Sequence, residues 1–531
     1  MSPYAQVDLQ QTPAKIEIPR NYNVVGDFID RHIDEGRGGR TALIDDAGSY
    51  SYSDLQQRVN RAGNLLRSLG AGMETRVMAC LLDGVDFPSV FFGAMKIGAV
   101  ALPINTLLTT HDYEFMLRDS RAKILVVSKA LFEKFEPILS QMPHLEKVII
   151  SGGEVEGYET LSSLMEGASS ELETADTTCD DVAFWLYTSG STGTPKGAMH
   201  LQSDMVNTAV LYGEGVLGIQ PDDVVFSAAK MFFAYGLGNS ISFPFYVGAT
   251  SVVMAERPTP DSVLRVLKQH QPTIFCGVPT LYGAINGSAD YGRSDGSENL
   301  RICISAGEAL PEEVAMEWER RFGCAILDGL GSTEMLHIFL SNREGDVHYG
   351  TSGVAVPGYE LKIVDEGDKP VGVGEIGELL VSGPSSATAY WNNRSKSINT
   401  FNGSWTRTGD KYTLDEEGYY HYCGRTDDML KVSGIWVSPF EVESALLAHD
   451  KVMEAAVVGK EDDKGLIKPK GFVVLKESQG ASAALVGELQ AFVKERLAPY
   501  KYPRWIEFID DLPKTATGKI QRYKLRCETR Q

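Results

Sequence analysis

Short apolar runs alternate with longer segments of helical spacing through the first three quarters of the chain. Residues 75–82 (TRVMACLL) carry the unbroken apolar run of a buried strand, and residues 87–97 follow with a helical pattern. Residues 122–128 (AKILVVS) and 147–151 repeat the strand signal with a helical stretch between them, and residues 250–254, 273–276 and 300–305 continue it. Strands separated by helical spans predict right-handed crossovers and largely parallel sheets. Beyond about residue 355 the texture changes to glycine-punctuated short strands at 360–364, 378–382 and 418–422, which predicts a smaller antiparallel unit. The tail reads as helix 439–448, strands 454–459 and 471–475, and helix 484–497. The expected fold class is α/β: a large N-terminal domain of mostly parallel sheets flanked by helices, plus a small antiparallel β subdomain and a small α+β C-terminal domain.

Length and charge sharpen that division. A chain of 531 residues exceeds one ordinary core, so two or more domains are expected. Residues 427–531 hold 17 Lys+Arg against 16 Asp+Glu; removing that +1 from the total of −21 leaves −22 on the first 426 residues. The contrast suggests domains at 1–426 and 427–531. A strongly acidic chain is repelled by nucleic acid and anionic membranes, so neither is expected as a partner. The seven cysteines are scattered, with no C-x-x-C pair, which suits a reducing compartment and argues against a thiolate metal site. The first residues lack the apolar core of a signal peptide, and no apolar stretch reaches the ~20 residues of a membrane span. A cytoplasmic enzyme is the expectation, with no partner protein signalled.

The candidate chemistry begins at residues 187–197, YTSGSTGTPKG, directly after the apolar run 182–186. Glycines there let the backbone approach a ligand, hydroxyls and successive amides can face phosphate oxygens, and Lys196 adds a point charge. The Walker spacing fails, because Pro195 stands where its second glycine belongs and Gly197 follows Lys196 in place of Ser or Thr. No G-x-G-x-x-G fingerprint occurs in the loop either.

The loop resembles the signature of the adenylate-forming superfamily, which comprises acyl- and aryl-CoA ligases, carrier-loading adenylation domains and luciferases. Four further segments match in order: GSTE at 331–334, TGD at 408–410, GRTDDMLKVSG at 424–434 and PKTATGKIQR at 513–522. Within that family, SAAKMFFAYGLGN, ERPTPD, SAGEALP, GSTEMLHIFLSN, GPSSATAYW and APYKYPR are similar to ligases that activate benzoate. The resemblance implies ATP, Mg²⁺ and coenzyme A, with an acyl-adenylate intermediate. It places Thr188, Ser189, Gly190, Ser191, Thr192, Gly193 and Lys196 on the phosphates. Thr333 would donate to the α-phosphate, Glu334 would hold Mg²⁺, and Lys519 would bridge carboxylate and α-phosphate. Ala306, Gly307, Glu308, Asp328, Gly329, Leu330, Gly331 and Ser332 would face the nucleotide, with Asp410 and Arg425 at the ribose. Read alone, TGD is an ordinary turn and a lysine near the C-terminus a solvated side chain; their roles come from the resemblance.

The same resemblance makes Phe233, Ala234, Tyr235 and Gly236 one wall of the acid site, with His337 and Ile338 opposite. His337 is equally readable as a core histidine. Lys230, Ser433 and Gly434 fall at the thiol tunnel and Asp427 at the hinge of a mobile C-terminal domain. Two departures stand out: Leu330 replaces the tyrosine that stacks on adenine in many members, and Lys230 occupies the position of an aromatic or His gate. The chemistry is self-consistent. A carboxylate is a poor acyl donor until attack on the α-phosphate gives it AMP as a leaving group, and being ionised it needs no general base. Positioning and charge neutralisation must then supply the catalysis. Three functions compete: an acid–thiol ligase making acyl-CoA, a carrier-loading adenylation protein, and a luciferase-like oxygenase or inactive relative.

Overall fold

The structure, a computed structural model, describes residues 3–189, 195–288, 291–426, 428–432, 435–463, 466–476, 481–498, 500–514 and 520–528. Among these, one sheet runs in the order Pro195–Leu201, Val182–Ser189, Val100–Pro103, Arg76–Cys80, Ile124–Ser128, Lys147–Ser151, Glu159–Thr160. Its strands are parallel except for the pair at the Pro195–Leu201 edge. A nine-stranded sheet has a parallel centre in the order Ile326–Gly331, Ile302–Ala306, Ile274–Gly277, Val224–Ser227, Thr250–Val252, Thr41–Asp45. Antiparallel strands close both of its ends.

The helix Asp86–Lys96 is buried from Phe87 to Lys96, as expected for a helix that is apolar on every face. Its one buried charge is satisfied internally: the Lys96 ammonium donates to Asp30 at 2.7 Å and to the Asn60 amide oxygen at 2.8 Å. Phe91 meets Phe92 and Phe184 with ring centroids 5.4 and 5.5 Å apart. Each fully buried ring of this kind stabilises the fold by roughly 1.5–3 kcal/mol. The helix Tyr52–Ser68 starts on a reciprocal cap, in which the Ser51 hydroxyl accepts from the Asp54 N–H and Asp54 accepts from the Ser51 N–H.

Past residue 355 the strands Glu360–Val364, Gly377–Ser382, Trp405–Leu414 and Tyr420–Arg425 form an antiparallel sheet. The tail pairs Val452–Glu461 with Ile467–Leu475 and adds Trp505–Phe508 in parallel. The helices Pro439–Leu447 and Ala483–Arg496 share a core with these strands through Val442, Leu446, Val457, Leu489 and Val493. The α/β class, the antiparallel unit and the C-terminal α+β unit match the sequence reading. Among the described residues no helix is long and apolar enough to cross a membrane.

Candidate active site

Three neighbouring parallel strands, Ile274–Gly277, Ile302–Ala306 and Ile326–Gly331, deliver their carboxyl ends to one edge of the large sheet. Crevices beyond such ends are where open α/β sheets bind ligands. Ser305 stands opposite Asp328 and Ala306 opposite Gly329. Gly307 has φ +92°, a left-handed conformation that glycine adopts without strain. Glu308 and Leu330 are half-buried beside it. Burial pushes the Asp328 carboxyl well above the usual carboxylate range.

Gly331–Glu334 follows directly from the third strand and turns back into Ile338–Ser341. Gly331 is obligatory there, since a Cβ would lie 2.7 Å from the His337 carbonyl oxygen. Leu336 takes φ +65°, an unusual conformation for a bulky residue, so the surroundings must impose it. They do so at consecutive residues. The Ser332 hydroxyl accepts from the Met335 N–H at 3.2 Å, and the Thr333 carbonyl accepts from the Leu336 N–H at 3.2 Å and from the His200 Nε2 at 2.8 Å. The Glu334 carbonyl accepts from the Ala387 N–H at 2.7 Å, and the Met335 carbonyl from the Ser385 hydroxyl at 2.8 Å. The Glu334 carboxylate accepts from the Tyr390 hydroxyl at 2.5 Å.

The strands Val182–Ser189 and Pro195–Leu201 flank the Gly/Ser/Thr loop, with Thr188 opposite Lys196 and Tyr187 opposite Gly197. Gly190, Ser191, Thr192 and Gly193 lie outside the described residues, as does the Ser189 side chain. The loop's base is braced from two sides. The Tyr187 hydroxyl donates to Asp119 Oδ2 at 2.7 Å and the Trp391 indole N–H to the Asp119 carbonyl at 2.9 Å, while Trp185 and Trp391 stack 4.6 Å apart. The Lys196 ammonium sits 4.6 Å from the centroid of the Tyr390 ring. Burial lowers the Lys196 pKa, with Glu334 opposing and Lys396 and Arg425 assisting. Lys196, Glu334, Tyr390 and Arg425 thus form one electrostatic group.

Thr408, Gly409 and Asp410 lie inside the strand Trp405–Leu414 rather than in a turn, with Gly409 at φ +72°. Asp410 stands opposite Arg425 on the neighbouring strand, and the Arg425 guanidinium donates to Asp410 Oδ1 at 2.9 Å and to the Thr408 carbonyl at 3.1 Å. Asp410 raises the Arg425 pKa further.

The aromatic wall starts at Phe232 and runs into the short helix Ala234–Leu237. The Tyr235 hydroxyl lies 3.0 Å from the Gly277 carbonyl and 3.1 Å from that of Ile304, tying the wall to the strand ends. Gly236 permits this path, because its Cβ would fall 2.0 Å from the Lys230 carbonyl oxygen. The His337 ring stacks on Tyr235 at 5.7 Å and meets Phe243 edge-on at 4.5 Å. Burial holds its pKa down at about 3, so the ring is neutral, and its Nε2 faces the Tyr235 carbonyl at 3.3 Å. Ile338 is fully buried against Gly329, whereas Phe233, Ala234 and Tyr235 are half-buried.

Lys230 is held by neighbouring carbonyls. Its ammonium donates to the carbonyls of Met254, Ala255 and Glu256 and lies 3.7 Å from Asp83 Oδ2. Asp83 also accepts from the Met231 N–H at 3.2 Å, and burial raises its pKa to about 6. Ser433, Gly434, Asp427 and Lys519 fall outside the described residues. Among the described residues, Lys514 pairs with Glu454 at 2.7 Å and Arg522 makes a two-pronged pair with Glu443 at 3.1 and 2.7 Å.

Sequence reading missed His200, Asp204, Ser385 and Tyr390. GPSSATAYW was noted as a matching stretch, yet nothing in it signals that Tyr390 reaches a residue 56 positions away.

Lys196, the Glu334 turn and the Asp410–Arg425 pair thus lie together beside the strand ends. The family model described as AMP-binding enzyme matches residues 30–391, and that of the AMP-binding enzyme C-terminal domain matches residues 441–519. The chain belongs to this family of AMP-binding, adenylate-forming enzymes. It is 59% identical over 521 residues to the benzoate–CoA ligase of Thauera aromatica, covering 98% of each chain. It is 49% identical to the 4-hydroxybenzoate–CoA/benzoate–CoA ligase of Rhodopseudomonas palustris, over 96% of this chain and 94% of that one. Among solved structures it resembles a benzoate CoA ligase from Burkholderia xenovorans LB400, at 49% identity and TM-score 0.89 over 95% of this chain and 100% of that one. It also resembles the anthranilate CoA ligase AuaEII in complex with anthranoyl-AMP, at 42% identity and TM-score 0.93 over 96% and 98%.

Proposed function

We propose that this chain is a benzoate-CoA ligase. It converts benzoate, ATP and coenzyme A to benzoyl-CoA, AMP and pyrophosphate through benzoyl-adenylate, in the cytoplasm and without a partner protein. The observation that carries the reading is 59% identity over 98% of both chains to the T. aromatica ligase.

The benzoate carboxylate attacks the α-phosphorus, forming the acyl–phosphate bond as the bond to pyrophosphate breaks. Lys519 and the Thr333 hydroxyl offset the charge gathered there, and Lys196 with the Gly/Ser/Thr loop holds the departing phosphates. Asp410 accepts from the ribose hydroxyls and Arg425 orients it. Among the described residues no three His, Cys, Asp or Glu side chains converge on one point. A single half-buried carboxylate, Glu334, suits Mg²⁺, which keeps waters and phosphate oxygens alongside one or two carboxylates. When bound, the ion neutralises phosphate charge. The thiol of coenzyme A, giving up its proton to solvent, then attacks the acyl carbon, and the acyl–phosphate bond breaks as AMP leaves. Withdrawal of Lys519 by rotation of residues 427–531 about Asp427, with Ser433, Gly434 and Lys230 along the thiol path, lets one acyl site serve both steps.

Tyr235, Phe233 and Ala234 form the aryl-facing wall, and flat rings favour edge-to-face contact with an aryl acid. Pyrophosphate release across benzoate, hydroxybenzoates, short aliphatic and long-chain acids tests the assignment. Benzoate is expected to give the highest kcat/KM. Preference for an aliphatic acid would remove benzoate while leaving the adenylate-forming class intact.

A further inference from the structure

The imidazole of His200 lies between two oxygen atoms. Its Nδ1 is 2.9 Å from Asp204 Oδ2 and its Nε2 is 2.8 Å from the Thr333 carbonyl oxygen. Both side chains are sealed from solvent, His200 at 0% and Asp204 at 1% exposure. The carbonyl only accepts, so Nε2 must carry a hydrogen. The contact at Nδ1 then holds one shared proton, carried by the imidazole against a carboxylate or by the Asp204 carboxyl against a neutral ring. Either way the buried pair has no net charge, the arrangement in which deep burial is tolerable. Phe184 stacks on the ring at 5.3 Å, and the Leu201 N–H donates to the same Asp204 oxygen at 3.1 Å. The ring therefore has one orientation open to it.

We propose that His200 and Asp204 are a positioning pair for the first half-reaction: they fix the Thr333 carbonyl, and with it the peptide that sets Thr333 and Glu334 toward the phosphates. The inference rests on the adenylation roles given to those two residues. Three observations favour positioning over simple core packing. The bond is made to the turn joining the strands Ile326–Gly331 and Ile338–Ser341 and not to a strand. That turn contains Leu336 at φ +65°, a conformation that persists only when neighbours over-determine it. And His200 belongs to the strand Pro195–Leu201 that also carries Lys196, so one short element supplies both a phosphate cation and the brace of the opposing turn. The spacing between Lys196 and Glu334 is thereby set through His200.

The test follows pyrophosphate release and thioester formation from supplied benzoyl-adenylate separately in His200→Phe, Asp204→Asn and Thr333→Val, after checking each melting temperature. His200→Phe keeps a ring for Phe184 but loses both nitrogens. It should slow adenylation on the order of 10–100-fold, the cost of slight misplacement of reacting groups, with thioester formation within about two-fold of normal. Asp204→Asn allows the imidazole to keep its N–H on Thr333, so it should lose less, in the same half-reaction only. It also serves as the readout if His200→Phe fails to fold. Equal loss of both half-reactions, or loss of neither, would overturn the proposal. Thr333→Val separates the layers: if it keeps full adenylation the role of Thr333 is wrong, whereas if it loses adenylation and the two dyad variants do not, only the positioning pair is wrong.

Discussion

The Tyr390 hydroxyl donates to the Glu334 carboxylate at 2.5 Å while the Lys196 ammonium rests over the Tyr390 ring at 4.6 Å. One buried side chain thus touches both a cation and a carboxylate. Tyr390→Phe keeps the ring and removes the hydrogen bond. A hydrogen bond to a charged group contributes about 1.5–3 kcal/mol, so adenylation should fall roughly ten-fold or more. The apparent Mg²⁺ requirement should rise with it. A variant with unaltered Mg²⁺ titration and rate would assign Tyr390 to packing alone.

Tyr235→Ala should weaken benzoate turnover and improve tolerance of bulkier aryl acids, because loss of the ring leaves space that a larger ligand refills. The same change removes the hydrogen bonds that the Tyr235 hydroxyl makes to the Gly277 and Ile304 carbonyls, so a lower melting temperature should accompany it. A substrate profile identical to that of the parent would place Tyr235 in the core and outside the acid site.

Stability should fall on acidification through two neutral histidines. Burial lowers His337 to about 3 and His32 to about 4, both beneath the ordinary value of 6.5. In each case the unfolded chain binds a proton that the folded chain refuses. The stability present above pH 6.5 is therefore lost as pH falls from there toward 4, by about 1.4 kcal/mol per pH unit for each ring. His337→Gln should flatten the decline in urea midpoint over that window by about one proton. An unchanged slope would show that His337 titrates normally.

Two variants address the parts outside the described residues. Lys519→Ala should abolish adenylation yet keep much of thioester formation from supplied adenylate, since its proposed contacts belong to the first step. Asp427→Pro fixes φ near −65° and should do the reverse, preserving pyrophosphate release and losing thioester formation. Parallel loss of both activities in either variant would contradict the separation of the two steps.

Much of the scaffold was legible because its strands are apolar runs between helical spans; Lys147–Ser151 and Glu360–Val364 fall where the pattern puts them. Among the strands that the pattern did not place, two were hidden for local reasons. Pro195–Leu201 begins with a proline inside a loop-like stretch, which an edge strand accepts at its first residue. Trp405–Leu414 contains Thr-Gly-Asp, a turn by composition, and absorbs it through Gly409 at φ +72°. The candidate site's motifs could be read as short words, but its braces could not. His200 reaches Thr333 across 133 positions and Tyr390 reaches Glu334 across 56, and only the fold brings them together.

The most direct measurement is the product set from benzoate, ATP, Mg²⁺ and coenzyme A, resolved by mass spectrometry with and without the thiol. Without coenzyme A the account predicts enzyme-bound benzoyl-AMP and one equivalent of pyrophosphate. With it, benzoyl-CoA and AMP should appear in equal amounts. Formation of ADP and phosphate, or benzoyl-CoA with no benzoyl-AMP detectable when the thiol is withheld, would contradict it.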